Sequence, residues 1–467
     1  FHSADRLAFP AGDDPEGGGV LASGTPSMGR NALSWSTGTD AVRWRGNSGP
    51  TTWDLRAWHT RFDASIDWAQ QSGLASSLED IGAAATGSWS LGLAHLSAGV
   101  NADRYDVRYD VSRLAPPPSA QPSIPDSSGP LLTLNGAPTF ASAFVETRWE
   151  AGPRWSGALG VHEQVASGSF RAPEPSISLR FTPTSRVSLA VGIARVHQDV
   201  QSLRNQESAL DVVTGISLPA IAGSVDPTGA FRVPLARADQ ATAAMNVQVA
   251  SRTALGISAF AREESGVAFV APITMEPFAI RGFASGTVRA SGLGVALSHD
   301  GRLVSVDAGY SYLLVQQRAG VSSYTPSFAA SHNVTLGIGV HMLPATTVRL
   351  AVAANSGGAT SLLAGPVEWS PFTGNEGGAN LEGSPQQIVG QMDGARLPPY
   401  VRVDLGLQHT VVVHMLGRSS AITGSASLTN LFDRANAFAL ALNSRNDALR
   451  TLRFQSRTAV LGVEWTF

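Results

Sequence analysis

The chain has no cysteine, which removes disulfides, zinc–thiolate centres and thiol nucleophiles from consideration. Charge is also scarce. Asp, Glu, Lys and Arg make up 15% of the 467 residues, against roughly a quarter in ordinary soluble domains. The net charge of −3 leaves no basic footprint for nucleic acid. Long hydrophobic runs are missing too. No stretch approaches the roughly 18–20 apolar residues of a membrane helix, so a helical membrane protein is excluded. A transmembrane β-barrel is not excluded, because its strands face lipid on one side only and escape hydropathy averages.

Glycine, by contrast, is abundant at 48 residues, and the main positive signal is alternation. Val334, Leu336, Ile338, Val340 and Met342 alternate with Thr335, Gly337, Gly339 and His341. Val304, Val306, Ala308, Tyr310 and Tyr312 alternate with Ser305, Asp307, Gly309 and Ser311. Val401, Val403, Leu405 and Leu407 alternate with Arg402, Asp404, Gly406 and Gln408, and segment 187–194 behaves alike. Successive side chains of a strand point to opposite faces, so each segment has one apolar face and one small or polar face. A soluble antiparallel sandwich gives the same pattern.

The connections decide between the two. Short turns are expected at 46–51, 151–153, 183–185 and 299–301, and near 95–97, 251–252, 344–345 and 416–419. Between them lie long polar or Pro/Gly-rich segments at 10–30, 67–82, 112–138, 198–233, 265–282, 316–331, 357–398 and 433–453, with a modest one at 167–174. Short and long connections therefore alternate, as they do when strands cross a slab with tight turns on one side and large loops on the other. Loops of soluble domains seldom exceed about 12–15 residues. The expected fold is all-β: a transmembrane, antiparallel, up-and-down β-barrel of about 18 visible strands, occupying 1–467 as one domain, with no helix. In lipid such a sheet has to close, since every backbone N–H and C=O must be paired. Apolar Val306, Ile338, Val403 and Leu405 are expected to face the bilayer, and Asp307, Arg402, Asp404 and Gln408 the lumen.

Chemical motifs are few. Gly46-Asn47-Ser48-Gly49-Pro50 is explained as a turn rather than a serine nucleophile. His162-Glu163 begins a zinc-protease motif, but the fifth residue is Ala166 and the segment is a strand. Gly292-Leu293-Gly294 has no helix after it and is no dinucleotide motif. Asp103, Asp106 and Asp110, set among Arg104, Arg108 and Tyr109, read as solvated charges at a loop base, or as a surface cation site. No catalytic, cofactor or metal residue is expected. An outer-membrane enzyme would need a Ser/His or acid/base pair at the loop rim, and none is concentrated there. A structural or adhesive barrel remains open, because several loops are long enough to bind a protein.

The C-terminal sequence is more specific. The last strand places Leu461, Val463, Trp465 and Phe467 on one face and stops on the aromatic, which resembles the signal by which assembly machinery recognises outer-membrane proteins. Asn430-Leu431-Phe432-Asp433 resembles a motif in the penultimate strand of TonB-dependent receptors. Arg396-Leu397-Pro398-Pro399-Tyr400-Val401-Arg402-Val403-Asp404-Leu405 is similar to a strand entry of that family, as are Tyr324 to Phe328 with His332-Asn333, and Pro234 to Gln240. The resemblance spans 234–467 and weakens upstream. It implies an outer-membrane receptor for energised uptake of a scarce nutrient, such as a ferric chelate, cobalamin or oligosaccharide. Its implied partners are the bilayer, the assembly machinery and the TonB complex. The family's plug domain is not recognisable here, and about 18 strands fall short of the 22 that the resemblance implies. The plug and first strands are therefore expected upstream of Phe1, where residues 1–10 already read as strand. A gap should then separate that strand from 454–467. The alternative is a plugless, porin-like channel.

Overall fold

A computed structural model describes residues 2–9, 31–68, 72–113, 129–166, 170–203, 218–226, 229, 231–270, 283–320, 322–326, 329–343, 345–360, 363–368, 386–389, 394–415, 418–442, 449–454 and 456–466. The wall begins with β1 (His2–Phe9), β2 (Asn31–Ser48), β3 (Thr51–Trp68), β4 (Ser72–Leu91) and β5 (Ala94–Arg113). It continues as β6 (Gly129–Gly136), β7 (Thr139–Ala151), β8 (Trp155–Ala166), β9 (Phe170–Thr184) and β10 (Val187–Gln198). After a short hairpin, β11 (Val200–Leu203) and β12 (Leu218–Ile221), come β13 (Ala236–Ala250), β14 (Thr253–Val270), β15 (Phe283–Asp300) and β16 (Val304–Ala319). β17 (Ser322–Tyr324), β18 (His332–Leu343) and β19 (Thr346–Asn355) follow. Four short strands stand outside the wall, β20 (Ala359–Thr360), β21 (Leu363–Glu368), β22 (Gln386–Val389) and β23 (Ala395–Arg396). The rest is β24 (Tyr400–Met415), β25 (Arg418–Thr429), the hairpin β26 (Ala437–Leu442) and β27 (Leu449–Arg453), and β28 (Thr458–Thr466).

Twenty of these strands form one antiparallel sheet in chain order. They make eighteen passes, because β6 and β7 are successive partners of β5, and β17 and β18 of β16. The passes match the expected number. Among the described residues β1 pairs only with β2 and β28 only with β25, so none of the described ladders joins β1 to β28.

Register shows how alternation builds two unlike faces. Val306 lies opposite Ile338, Ile338 opposite Leu350, Leu350 opposite Leu405 and Leu405 opposite Leu428. One residue along, Asp307, Gly337, Ala351 and Asp404 form the matching row on the other face. The apolar face is not covered by protein: Val42 is 73% exposed, Ile193 64% and Leu405 40%. A sandwich would bury these residues against a second sheet, so they form the lipid face of the wall. At the short-turn end this face carries tryptophans. Trp44 meets Trp53 at 4.0 Å and Trp155 meets Phe181 at 4.2 Å, an interfacial girdle suited to rings with one polar edge. At the long-loop end Tyr312 packs at 5.0 Å on His332.

Several expected boundaries move. Segment 67–82 is not a long loop: β3 runs to Trp68 and β4 starts at Ser72, because alternation persists there, with Phe62 opposite Leu78 and Ile66 opposite Leu74 on the face away from Leu55 and Ile81. The turn expected near 95–97 lies at 92–93, and that at 299–301 lies at 301–303. Strand also extends into expected loops, to Arg113, Val270 and Ala319. Asp103, Asp106 and Asp110 all lie within β5 rather than at a loop base. Asp106 and Asp110 are exposed, whereas Asp103 is buried on the opposite face. His162 and Glu163 likewise point to opposite faces of β8.

Candidate functional site at the covered inner wall

Among the described residues, the segment after β10 folds back onto the inner face of the wall. β11 and β12 pair, and the chain then turns sharply at Gly223, whose φ is +92°. Ala222 N–H donates to Asp199 O at 2.8 Å and Val233 N–H to Ser224 O at 2.9 Å. The segment is also stitched to β6, since Asn135 and Val225 exchange backbone bonds of 3.2 and 3.1 Å. Gly136 permits this approach, for a Cβ there would stand 2.5 Å from Ser224 Oγ.

Apolar burial supplies the adhesion. Ile221 and Ala222 pack with Val107, Phe140 and Ala166 of the wall, flanked by Leu78, Tyr105, Val200 and Leu235. Ile221 and Val107 are completely buried. It is a closed apolar cluster set on the inner side of the wall. The other end of the hairpin reaches β14. Gln201 Nε2 donates to Pro234 O at 2.8 Å and Gly266 O at 3.1 Å, and Gln201 Oε1 accepts from Ala268 N–H at 2.7 Å. One short hairpin thus touches both β5 and β14, which requires the sheet between them to curve with this face concave.

Carboxylates cluster beside the covering segment. Trp58 Nε1 donates to Asp80 Oδ2 at 2.9 Å, and its indole lies across Gly82, where a Cβ would meet both Trp58 and Asp103 within 2.4 Å. Asn101 Nδ2 donates to Asp103. Asp199, at the root of the hairpin, acts electrostatically on Asp80, Asp103 and Tyr105. Among the described residues, Asp80 Oδ1 and Asn101 Oδ1 are buried with no protein partner. Nearby, the last rung between β9 and β10 is Ser176–Ala194. Beyond it the Glu174 carboxylate accepts from His197 N–H at 2.7 Å and contacts His197 Nδ1 at 3.1 Å and His162 Nδ1. Toward the short-turn end, Arg45 and Arg56 each donate to Asp54 at 2.7 Å, and Arg43 at 2.8 Å. The lumen therefore offers carboxylate and amide acceptors near its long-loop mouth and guanidinium donors near the other end. Among the described residues, no group of three His, Asp or Glu side chains is placed to hold a metal ion.

The family-motif residues lie elsewhere and come together with one another. Asn430 (φ 52°) and Asp433 (φ 51°) hold left-handed conformations that end β25. Asn430 N–H donates to Asp404 Oδ1 at 2.8 Å and Leu431 N–H to Val403 O at 2.7 Å. Asn430 Nδ2 donates to Arg434 O, and Arg434 N–H to Asn430 Oδ1, both at 3.0 Å. Asp433 Oδ1 accepts from Arg457 N–H at 2.8 Å, and Arg434 Nη2 donates to Pro399 O at 3.2 Å. Tyr400 packs edge-on against Phe454 at 5.4 Å, whereas the Phe432 ring and Pro398 are exposed. These residues make a corner tying β24, β25 and β28 at the long-loop end, away from the covered wall. Trp465 stands 58% exposed opposite Ile422 on the lipid face. Phe467 lies outside the described residues.

No protein-family profile matches the chain, and no curated protein does. Solved structures do match. The outer membrane transporter YddB from Escherichia coli superposes with a TM-score of 0.61 at 10% identity, over 94% of this chain and 63% of that one. The ferric yersiniabactin uptake receptor FyuA from Yersinia pestis gives 0.60 at 10% identity, over 95% and 62%. BauA, the ferric preacinetobactin receptor from Acinetobacter baumannii, gives 0.56 at 14% identity, over 94% and 64%. The chain thus spans less than two thirds of each of these proteins. At such identities the likeness is one of fold, and the fold is the large antiparallel β-barrel of outer-membrane receptors and transporters.

Proposed function

We propose that this chain is the barrel wall of an outer-membrane receptor that takes up a scarce nutrient, a ferric chelate foremost, with energy delivered by the TonB complex. The supporting observation is the superposition of 93–95% of the chain on structures that include uptake receptors for ferric citrate, yersiniabactin and preacinetobactin. That no described strand pairs with the outer edge of β1 or of β28 adds to it. An unpaired edge in lipid leaves backbone groups unsatisfied, so further strands of the whole protein are to complete the barrel, and a plug is to occupy the lumen. The motif corner, Pro398 to Tyr400 with Asn430 to Asp433, serves the wall rather than the ligand. Trp465 and Phe467 serve recognition by the assembly machinery.

The test is uptake of radiolabelled ferric chelates by cells carrying or lacking the gene. Receptor action predicts selective, saturable uptake that an uncoupler abolishes. Unselective, uncoupler-resistant permeation of small solutes would replace the reading with that of a passive channel.

A further inference from the structure

The outer wall between β8 and β16 carries a groove of about 1100 Å³, on the face away from the covered inner wall. It runs across the strands. One edge is an apolar row in which Ile177 faces Ile193, Ile193 faces Ala241, Ala241 faces Ala261, Ala261 faces Ser291 and Ser291 faces Leu314. Two residues nearer the long loops, the same face becomes charged. Arg195 lies opposite Asp239, Asp239 opposite Glu263 and Glu263 opposite Arg289. Small side chains at 241, 261 and 291 hollow the floor between the bulkier Ile193 and Leu314. An apolar trough on the lipid-facing side, bordered by guanidinium groups, has the polarity of an amphiphile.

The acids on the rim hold the arginines without cancelling them. Arg195 Nε donates to Asp239 Oδ1 at 2.6 Å, and Arg237 Nε to Asp239 Oδ2 at 3.0 Å. Arg289 donates to Glu263 Oε1 through Nε at 3.0 Å and Nη2 at 2.9 Å. Three guanidiniums thus share two carboxylates. Arg318, opposite Thr287, adds a fourth positive charge in the next row. Each guanidinium has five N–H donors, and the Arg289 side chain is 70% exposed, so donors remain for a ligand. All 33 cationic residues of the chain are arginine, the side chain whose planar fork matches a phosphate bidentately.

We propose that this groove binds a phosphorylated membrane lipid, with an acyl chain along Ala241, Ala261 and Ser291 and the phosphate on Arg195, Arg237 and Arg289. The excess positive charge of the rim selects an anionic headgroup over a neutral one, and the apolar floor selects a lipid over free phosphate. The inference rests on the membrane reading above. Native mass spectrometry of the whole protein, extracted from its membrane in mild detergent, tests it by counting retained lipids. The wild type should keep a phosphorylated lipid in preference to a zwitterionic one when both are supplied in mixed vesicles. Arg195→Ala with Arg289→Ala should lower its occupancy about tenfold. Ser291→Trp, which fills the trough and leaves every charge in place, should lower it as well. Heat-modifiable gel mobility reports that each variant is folded, and the wild-type competition decides the matter if the double variant is not. Equal retention of both lipid classes, or unchanged retention in Ser291→Trp, would reduce the groove to ordinary lipid contact and overturn the proposal while leaving the barrel intact. Recovery of the protein outside the membrane fraction would overturn both.

Discussion

The long-loop end of the wall is finished in two contrasting ways. Over β5 to β8, a distant segment is laid on the inner face and held by apolar burial, with Ile221 and Phe140 at its centre. At the junction of β24, β25 and β28, the chain turns within a few residues and is held mainly by Asn and Asp side chains bonded to backbone, with the Tyr400–Phe454 contact beside them. The first device joins parts of the chain that alternation alone would leave apart. The second satisfies backbone groups where a strand must stop. A wall of single-sheet strands uses both, because the ladder itself fixes neither a cover nor a corner.

The largest expected effect is on the cover. Phe140 is 2% exposed and packs edge-on to Tyr105 at 5.8 Å, so Phe140→Ala removes a ring from a closed cluster and should cost about 3–5 kcal/mol. Because the wall stands by its own ladder, the loss should appear as local opening. Hydrogen exchange at the Asn135 and Val225 amides should accelerate, while the Leu431 amide keeps its protection. Equal acceleration at both places would show that cover and corner are one cooperative unit, and the contrast would fall.

The contrast also explains what the sequence could and could not convey. Alternation, the eighteen passes and the sorting of short from long connections were legible, since a wall strand is defined by its own residues and their two-residue period. The corner was legible as a motif because Pro398 to Tyr400 and Asn430 to Asp433 are short local runs of residue types with special backbone and side-chain bonding. The covered wall was not. Segment 198–233 read as a polar loop, for nothing local shows that Ile221 and Ala222 meet Val107 and Phe140. The only available signal was Leu218-Pro219-Ala220-Ile221-Ala222, an apolar run inside an expected loop. Asp103 was misjudged for the same reason, because its burial depends on what lies over β5. The boundaries at 67–82 shifted because polar residues are permitted on strands that rise above the bilayer.

Next in size is the test of the wall that both regions share. Ile338→Arg places a guanidinium on the lipid face and should cost about 2–4 kcal/mol, whereas Thr335→Arg, on the lumen face near Arg402 and Asp404, should cost about 1 kcal/mol or less. Unfolding in lipid vesicles by urea measures both. Equal costs would mean that the two faces meet the same solvent, which would remove the membrane assignment.

A smaller effect separates the corner's components. Asn430→Ala deletes its bonds to Arg434 and places a β-carbon residue with no local hydrogen bond at φ 52°, at a cost of about 1–3 kcal/mol. Asn430→Gly loses the same bonds but relieves the backbone, so it should be milder. Thermal unfolding of the two variants ranks them. If glycine is the worse, the side-chain bonds outweigh the backbone conformation.

The smallest effect concerns charge at the same corner. Asp433 accepts from Arg457 N–H at 2.8 Å and sits at φ 51°, and these are separate requirements. Asn meets both, since its amide oxygen can accept the same bond and it tolerates the left-handed region nearly as well as any residue with a side chain. What Asp433→Asn removes is only the charge, at an exposed position where water screens it. It should therefore shift stability by about 0.5 kcal/mol or less, while Asp433→Ala, which loses the acceptor as well, should cost about 1–2 kcal/mol. Raising the salt concentration sharpens the distinction, because it weakens a charge contribution and leaves a hydrogen-bond geometry unchanged. If Asp433→Asn proves as costly as Asp433→Ala, and the cost fades with salt, the corner is held by electrostatic attraction to the arginines around it. Its difference from the apolar cover would then be one of charge against burial rather than of backbone satisfaction.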